Sequence, residues 1–252
     1  MCGPVLAGAR GRPSCDCLRS NMPESLEVIP RSLLWLTLQP IARTLFSTLF
    51  DCHTYGVDNV PAVGGGILAA NHQSYLDPPM LAAPLSRPVS FMAKSELFTN
   101  PFFGAFIRNL HAFPIRQGKG DRNAIKETVG RLQEGYLVNI YPEGTRTADG
   151  EIGELQPGIA LVIRRAGVPV IPAVIDGSYE AWPMDQKLFR ASPVRIAYGP
   201  PLRLDGLAAE EIVATLDYVL RTMLADLRAF PMGSAGAPVS TRVSPARREL
   251  VA

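Results

Sequence analysis

A chain of 252 residues can bury one sizeable hydrophobic core, and nothing in its composition calls for a second domain. Hydrophobic residues make up 47% and charged residues only 19%, and the 25 basic residues are scattered among 23 acidic ones for a formal net charge of +2. That balance lacks the basic face or stripe that nucleic acid requires and points to a membrane surface instead.

In chain order, residues 1–21 (MCGPVLAGARGRPSCDCLRSN) show no periodicity, and their apolar stretch is too broken by Gly and Pro for a signal peptide. Residues 1–22 are expected to form a disordered tail, with Met22 opening a more ordinary sequence. The four cysteines, Cys2, Cys15, Cys17 and Cys52, contain no CxxC pair, and no histidine stands at zinc-ligand spacing from two of them. This predicts free thiols in a cytosolic compartment and no metal.

From Arg31 to Phe50 the only charges are Arg31 and Arg43, and Pro40 divides the run into two short apolar halves. A proline inside such a run kinks or ends a helix, and neither half can cross a bilayer. Residues 23–50 are therefore expected to hold an apolar pair of short helices docked in the headgroup region of a membrane. The competing reading is that they cover the protein's own core.

Between residues 66 and 198, short apolar or β-branched runs alternate with helix-like segments. The runs are Ile67 to Ala70, Val89 to Ala93, Ala112 to Ile115, Leu137 to Tyr141, Val170 to Ile175 and Val194 to Tyr198. This alternation is the α/β signature. Asp121 to Leu132 carries Ile125, Val129 and Leu132 at helical spacing, and Leu207 to Phe230 reads as a long amphipathic helix that closes a domain spanning 51–230. Residues 231–252 are poor in bulky apolar side chains and are expected to be a second disordered tail.

Within this frame the segment NHQSYLD, residues 71–77, follows a strand and precedes Asp77-Pro78, a helix start with Asp as N-cap and Pro at the first helical position. On one regular helix, residues five apart differ by about 140° around the axis, so His72 and Asp77 can meet only if the chain turns between them. An aspartate bonded to one imidazole nitrogen fixes the tautomer and leaves the other to take a proton from a hydroxyl. The alternative is a histidine packed in a turn beside a capping aspartate. YPEGTRT, residues 141–147, ends another strand, where Gly144 lets backbone N–H groups approach a ligand and Arg146 offers a fork of donors to an anion. Arg116 closes the strand-like HAFPIR, and Lys94 lies in MAKSEL. Polar groups at strand ends of an open α/β sheet can converge on one crevice.

NHQSYLD, the FPIR of LHAFPIRQGKGDR, YPEGTRT and VPVIPAVIDG stand in the order and approximate spacing of four motifs of the PlsC-like glycerolipid acyltransferases. The chain thus resembles the lysophosphatidic acid acyltransferase family over roughly residues 50–200. The resemblance implies a single α/β domain with a central mixed, largely parallel sheet flanked by helices. It implies His72 as general base and Asp77 as the group orienting it, with Arg116, Glu143, Gly144, Thr145, Arg146 and, more weakly, Lys94 at the acceptor's phosphate and glycerol. The donor would be acyl-CoA or acyl-carrier protein, the acceptor the sn-2 hydroxyl of lysophosphatidic acid at the cytoplasmic face of a membrane, the product phosphatidic acid for phospholipid biosynthesis, and no cofactor would be needed. Tyr141 departs from the commoner phenylalanine. Another lysophospholipid or lipid alcohol as acceptor, an acyl-thioester hydrolase and a lipid-binding module without turnover are the alternatives.

Overall fold

Every apolar run expected to be a strand is one in the computed structural model, which describes residues 29, 31–115, 122–232, 234 and 236–241. The strands are β1 (His53–Tyr55), β2 (Gly66–Ala70), β3 (Val89–Lys94), β4 (Ala112–Ile115), β5 (Leu137–Ile140), β6 (Val170–Asp176) and β7 (Arg195–Tyr198). The helices are α1 (Leu33–Leu49), α2 (Asp77–Ala82), α3 (Pro101–Asn109), α4 (Arg122–Gln133), α5 (Gly158–Ala166), α6 (Ser178–Ala181) and α7 (Ala209–Ala229). The strands form one sheet in the order β1-β7-β6-β2-β5-β3-β4, parallel at every pairing except β6 with β7. The expected mixed, largely parallel sheet is therefore present. β1 carried no sequence signal because its three residues, His-Thr-Tyr, are half-buried and do not alternate.

β2 is buried at all five positions, so it reads as an unbroken apolar run and not as an alternation. Ile67 and Ala69 face a core shared with Ile159 and Ile163 of α5 and Ile212, Leu216 and Leu220 of α7. Leu68 and Ala70 face the opposite core, with Phe46, Phe50, Met80 and Leu81 from α1, its C-cap and α2. Two layers of side chains thus hold the central strands from both faces, and their C-terminal ends emerge on one edge.

The expected helical pair at the N-terminus is instead one helix, α1, which runs through Pro40. An interior proline costs about 3 kcal/mol through a lost hydrogen bond and a steric clash. Burial of Trp35 and Phe46, with Phe50 just beyond the helix, contributes about 1.5–3 kcal/mol per side chain and outweighs that cost. Ser32 accepts from the Trp35 amide as N-cap, and Gln39 Nε2 donates to the Ala83 carbonyl at 2.7 Å, fastening the helix beside the proline itself. Around the rest of its circumference α1 leaves Leu33, Leu36, Ile41, Leu45 and Leu49 exposed. Among the described residues no helix is long and apolar enough to cross a membrane.

The ordered chain also extends past the expected boundary at residue 230. A 3-10 turn at Val239–Thr241 follows α7, and the buried Thr241 takes a hydrogen bond on its carbonyl from Asn59 Nδ2 at 2.8 Å. The expected tail at 1–22 and residues 242–252 of the tail expected at 231–252 lie outside the described residues.

Cys52 is partly covered at the end of α1, and burial, helped by the charge of Asp51, pushes its thiol up to about 11. Since the thiolate is the reactive form, Cys52 is expected to resist iodoacetamide at pH 8 in the folded protein and to react once guanidinium unfolds it. Peptide mapping checks this, and equal labelling in both states would contradict it.

Candidate active site

At the end of β2 the side chain of Asn71 takes over the strand's ladder. Its Nδ2 donates to the Ile175 carbonyl at 2.9 Å, and its Oδ1 accepts from the Ile175 amide at 2.8 Å. The backbone of His72 is clamped next, its N–H donating to Glu143 Oε1 at 2.8 Å and its carbonyl accepting from the Thr147 amide at 2.8 Å. Two turns, one after β2 and one after β5, are thereby locked to each other. His72 enters the site with a fixed backbone.

The chain then reverses and brings Asp77 to His72, with Nδ1 and Oδ2 2.7 Å apart. Asp77 was expected to cap its own helix, but it is the first residue of α2 and its side chain reaches backward. Oδ2 accepts from the amides of Gln73 and Ser74 at 2.6 and 2.7 Å, and Oδ1 accepts from the Ser178 hydroxyl at 2.6 Å. A carboxylate can only accept, so Nδ1 of His72 carries the proton in this contact. Asp77 is fully buried, whereas the His72 side chain is 18% exposed. The imidazole is therefore oriented from inside and reachable from outside through Nε2, which has no hydrogen bond among the described residues.

Tyr141 stacks on the imidazole, ring centroids 3.8 Å apart and planes 12° from parallel. Burial, with the charge of Asp77, holds its phenol well above the ordinary range, so it stays neutral. Glu143 was expected at the acceptor's phosphate and glycerol. Its second oxygen instead accepts from the Gly153 amide at 2.7 Å, and with 5% of its surface exposed it braces the two turns. Burial raises the Glu143 carboxyl above its usual range, an effect the amides of Gly153 and His72 partly offset.

Gly144 holds a left-handed conformation, φ 74°, which glycine adopts at no steric cost, and it lets the turn after β5 close through its amide onto the Tyr141 carbonyl. Gly144 and Thr145 are exposed on that turn. The Arg146 guanidinium lies 3.5 Å above the centroid of Tyr75, and its NH1 nitrogen is buried without a hydrogen-bond partner among the described residues. A buried cationic donor left unpaired is costly unless a ligand satisfies it. Lys94 is exposed at the end of β3, beside β5 in the sheet, and Arg116 lies outside the described residues.

The structure thus bonds His72, Asp77 and Glu143 directly into one cluster, with Gly144, Thr145 and Arg146 on the adjoining turn. Sequence reasoning missed Asn71, Ser178 and the stacking role of Tyr141. The adjacency of Asn71 to His72 and of Ser178 to the fourth motif were the available signals. Among the described residues no group of three or more His, Cys, Asp or Glu side chains is placed to hold a metal ion. The chemistry within reach is proton removal by an oriented imidazole beside an arginine suited to an anion.

Residues 51–176 match the family model described as Acyltransferase. A 1-acyl-sn-glycerol-3-phosphate acyltransferase of Bacillus subtilis is 29% identical over 189 residues, 73% of this chain and 92% of that protein. The chloroplastic 1-acyl-sn-glycerol-3-phosphate acyltransferase BAT2 of Brassica napus is 26% identical over 151 residues, and the chain spans only 44% of its length. The crystal structure of the 1-acyl-sn-glycerophosphate acyltransferase PlsC from Thermotoga maritima superposes with a TM-score of 0.69 at 27% identity, covering 78% of this chain and 80% of that one.

Proposed function

The chain belongs to the acyltransferase family, and from that premise we propose that it transfers an acyl group from acyl-CoA or acyl-carrier protein to the sn-2 hydroxyl of lysophosphatidic acid, giving phosphatidic acid for phospholipid biosynthesis. The observation that carries this reading is the His72–Asp77 contact on a turn bonded to the one that holds Arg146 and its unpaired buried nitrogen. The activities by which the Bacillus subtilis and Thermotoga maritima proteins are named agree with it.

In this reading His72 Nε2 takes the proton of the acceptor hydroxyl as its oxygen attacks the thioester carbonyl. The new C–O bond forms, the tetrahedral centre collapses with loss of the C–S bond, and the imidazolium returns the proton to the departing thiolate. No acyl-enzyme is required, since the acceptor brings the nucleophile. Asp77 holds the reactive tautomer and stabilises the imidazolium, as the acid does in a hydrolytic triad. Arg146, with Arg116 and Lys94, holds the phosphate, and the turn at Gly144 and Thr145 lies against the glycerol. Fixing both ends of the acceptor head group turns a bimolecular encounter into an oriented one. The reaction needs no cofactor beyond its thioester donor.

The test is purified protein supplied with acyl-CoA or acyl-carrier protein and a panel of acceptors, with products read by mass spectrometry. Phosphatidic acid as the main product supports the reading. Release of free fatty acid without acceptor dependence would make the protein a thioesterase and overturn it.

The exposed apolar face of α1 supports peripheral or monotopic attachment at the cytoplasmic face of a membrane, with Leu33, Leu36, Ile41, Leu45 and Leu49 among the acyl chains. Ile41→Asp with Leu45→Asp is expected to release the protein from anionic vesicles in flotation while leaving its thermal midpoint within a few degrees. Unfolding without release would show that this face supports the core instead.

A further inference from the structure

A run of aromatic rings leads away from Arg146 toward α1. The guanidinium stacks on Tyr75, the Tyr75 ring lies 5.5 Å from Trp182, Trp182 lies 6.0 Å from Phe189, and Phe189 lies 5.8 Å from Phe50 at the C-terminal end of α1. These spacings are those of rings in contact. Unlike a core cluster, much of the run faces outward: Tyr75 is 53% exposed, Phe189 51% and the neighbouring Leu188 80%. A contiguous exposed apolar surface is unusual on a folded protein and marks a binding surface.

The run is also firmly mounted. The Ser74 hydroxyl donates to the Trp182 carbonyl at 2.9 Å, which ties the track to the turn carrying His72. Trp182 Nε1 donates to the Gln186 carbonyl, and the Arg190 amide and Nε donate to the carbonyls of Ala181 and Glu180. The loop from Trp182 to Arg190 is thus folded back on α6 by its own hydrogen bonds. A surface held in place while its apolar side chains stay exposed fits a ligand that arrives and leaves.

We propose that this track from Tyr75 through Trp182, Leu188 and Phe189 holds the sn-1 acyl chain of the acceptor as it comes off the membrane. The inference rests on the acceptor being a lysophospholipid. In such a molecule the phosphate and the acyl ester flank the reactive hydroxyl on a three-carbon glycerol. With the phosphate at Arg146 and the hydroxyl at His72, the chain leaves the head group beside both. The apolar surface that touches Arg146 and is bonded to the His72 turn is the Tyr75–Trp182 end of the track. Its other end packs against α1, where Leu45 and Leu49 are exposed. The chain therefore runs between the proposed membrane face and the base along a track whose exposed part is Tyr75, Leu188 and Phe189 and whose end rests on the buried Phe50. A thioester donor places its acyl chain beyond its carbonyl and offers no phosphate next to that chain, so the start at Arg146 selects the acceptor.

The experiment compares palmitoyl with hexanoyl lysophosphatidic acid, below their micelle concentrations, in wild type and in Leu188→Ser/Phe189→Ser. The ratio of kcat/KM for the long over the short acceptor is expected to fall roughly tenfold, about the effect of two methylenes of lost burial on an equilibrium. The change should sit in KM for the acceptor and not for the acyl thioester. Trp182 supplies a second measurement, because the chain has only two tryptophans. Lysophosphatidic acid brominated along its acyl chain should quench a fluorescence component present in wild type and missing from Trp182→Phe. A raised KM for the thioester would assign the track to the donor chain, and equal losses with both acceptors alongside weaker vesicle binding would make it a general membrane contact. Either outcome overturns the proposal. Transfer to lysophosphatidic acid without Trp182 quenching would overturn the track alone, whereas quenching without transfer would leave the track standing and overturn the proposed reaction.

Discussion

His72→Ala is expected to lower acyl transfer by about 10²- to 10⁴-fold, the range for loss of a general base. The fall should appear in kcat with acceptor KM nearly unchanged, since the imidazole acts as the hydroxyl loses its proton and not when the acceptor docks. The fold should survive. Asp77 keeps the amides of Gln73 and Ser74 and the Ser178 hydroxyl after the imidazole is gone, so no buried carboxylate is stranded. The clamps on His72 run through its backbone and persist in alanine. Asp77→Asn should be severely but less completely impaired. Its amide oxygen can face the two backbone donors while its nitrogen faces Ser178, which preserves the turn but removes the charge that stabilises the imidazolium. Kinetics of both variants beside their thermal midpoints check the expectation. A near-normal rate in His72→Ala would remove the base assignment.

The fold was legible wherever burial on both sides of the sheet made a strand uniformly apolar. β2 and β6 are such cases, whereas α7 was legible from its helical period, which places Ile212, Leu216 and Leu220 on one face. Local pattern failed where tertiary contacts reversed a local preference. Pro40 argued for two helices, yet Trp35, Phe46 and the Gln39 bond to Ala83 keep one helix intact. Pro78 marked the start of α2 to within one residue, but which way the Asp77 side chain would point depended on amides of the preceding turn and on Ser178, 101 residues away. Glu143 likewise sits in a motif whose resemblance implied substrate contact, and only the three-dimensional pairing with His72 and Gly153 reveals a brace. A motif identifies residues that belong together; burial and hydrogen bonds decide which of them remain available to a ligand. By that criterion both Glu143 oxygens are engaged by backbone amides, while Arg146 keeps one buried nitrogen without a partner among the described residues.

Arg146→Ala separates phosphate binding from chemistry. A charge-assisted hydrogen bond to a partly desolvated phosphate is worth about 1.5–3 kcal/mol, so loss of Arg146 should weaken use of a phosphorylated acceptor by roughly 10- to 100-fold. Arg146→Lys should recover only part of this, because an ammonium keeps the charge but loses both the bidentate fork and the flat face stacked on Tyr75. If the contact is equal in ground and transition states, KM rises alone; if it also aims the sn-2 hydroxyl at His72, kcat falls with it. The deciding control is a monoacylglycerol with the same chain and no phosphate. Removal of the arginine takes away a contact that this acceptor never makes, so its rate should hardly change, and acyl-CoA hydrolysis without acceptor should stay at the wild-type level. The unpaired NH1 nitrogen makes the expectation specific, because no protein acceptor among the described residues loses a partner there when the side chain is cut back. Equal losses with both acceptors would mean that Arg146 maintains the turn or the donor site, and the phosphate assignment would fall.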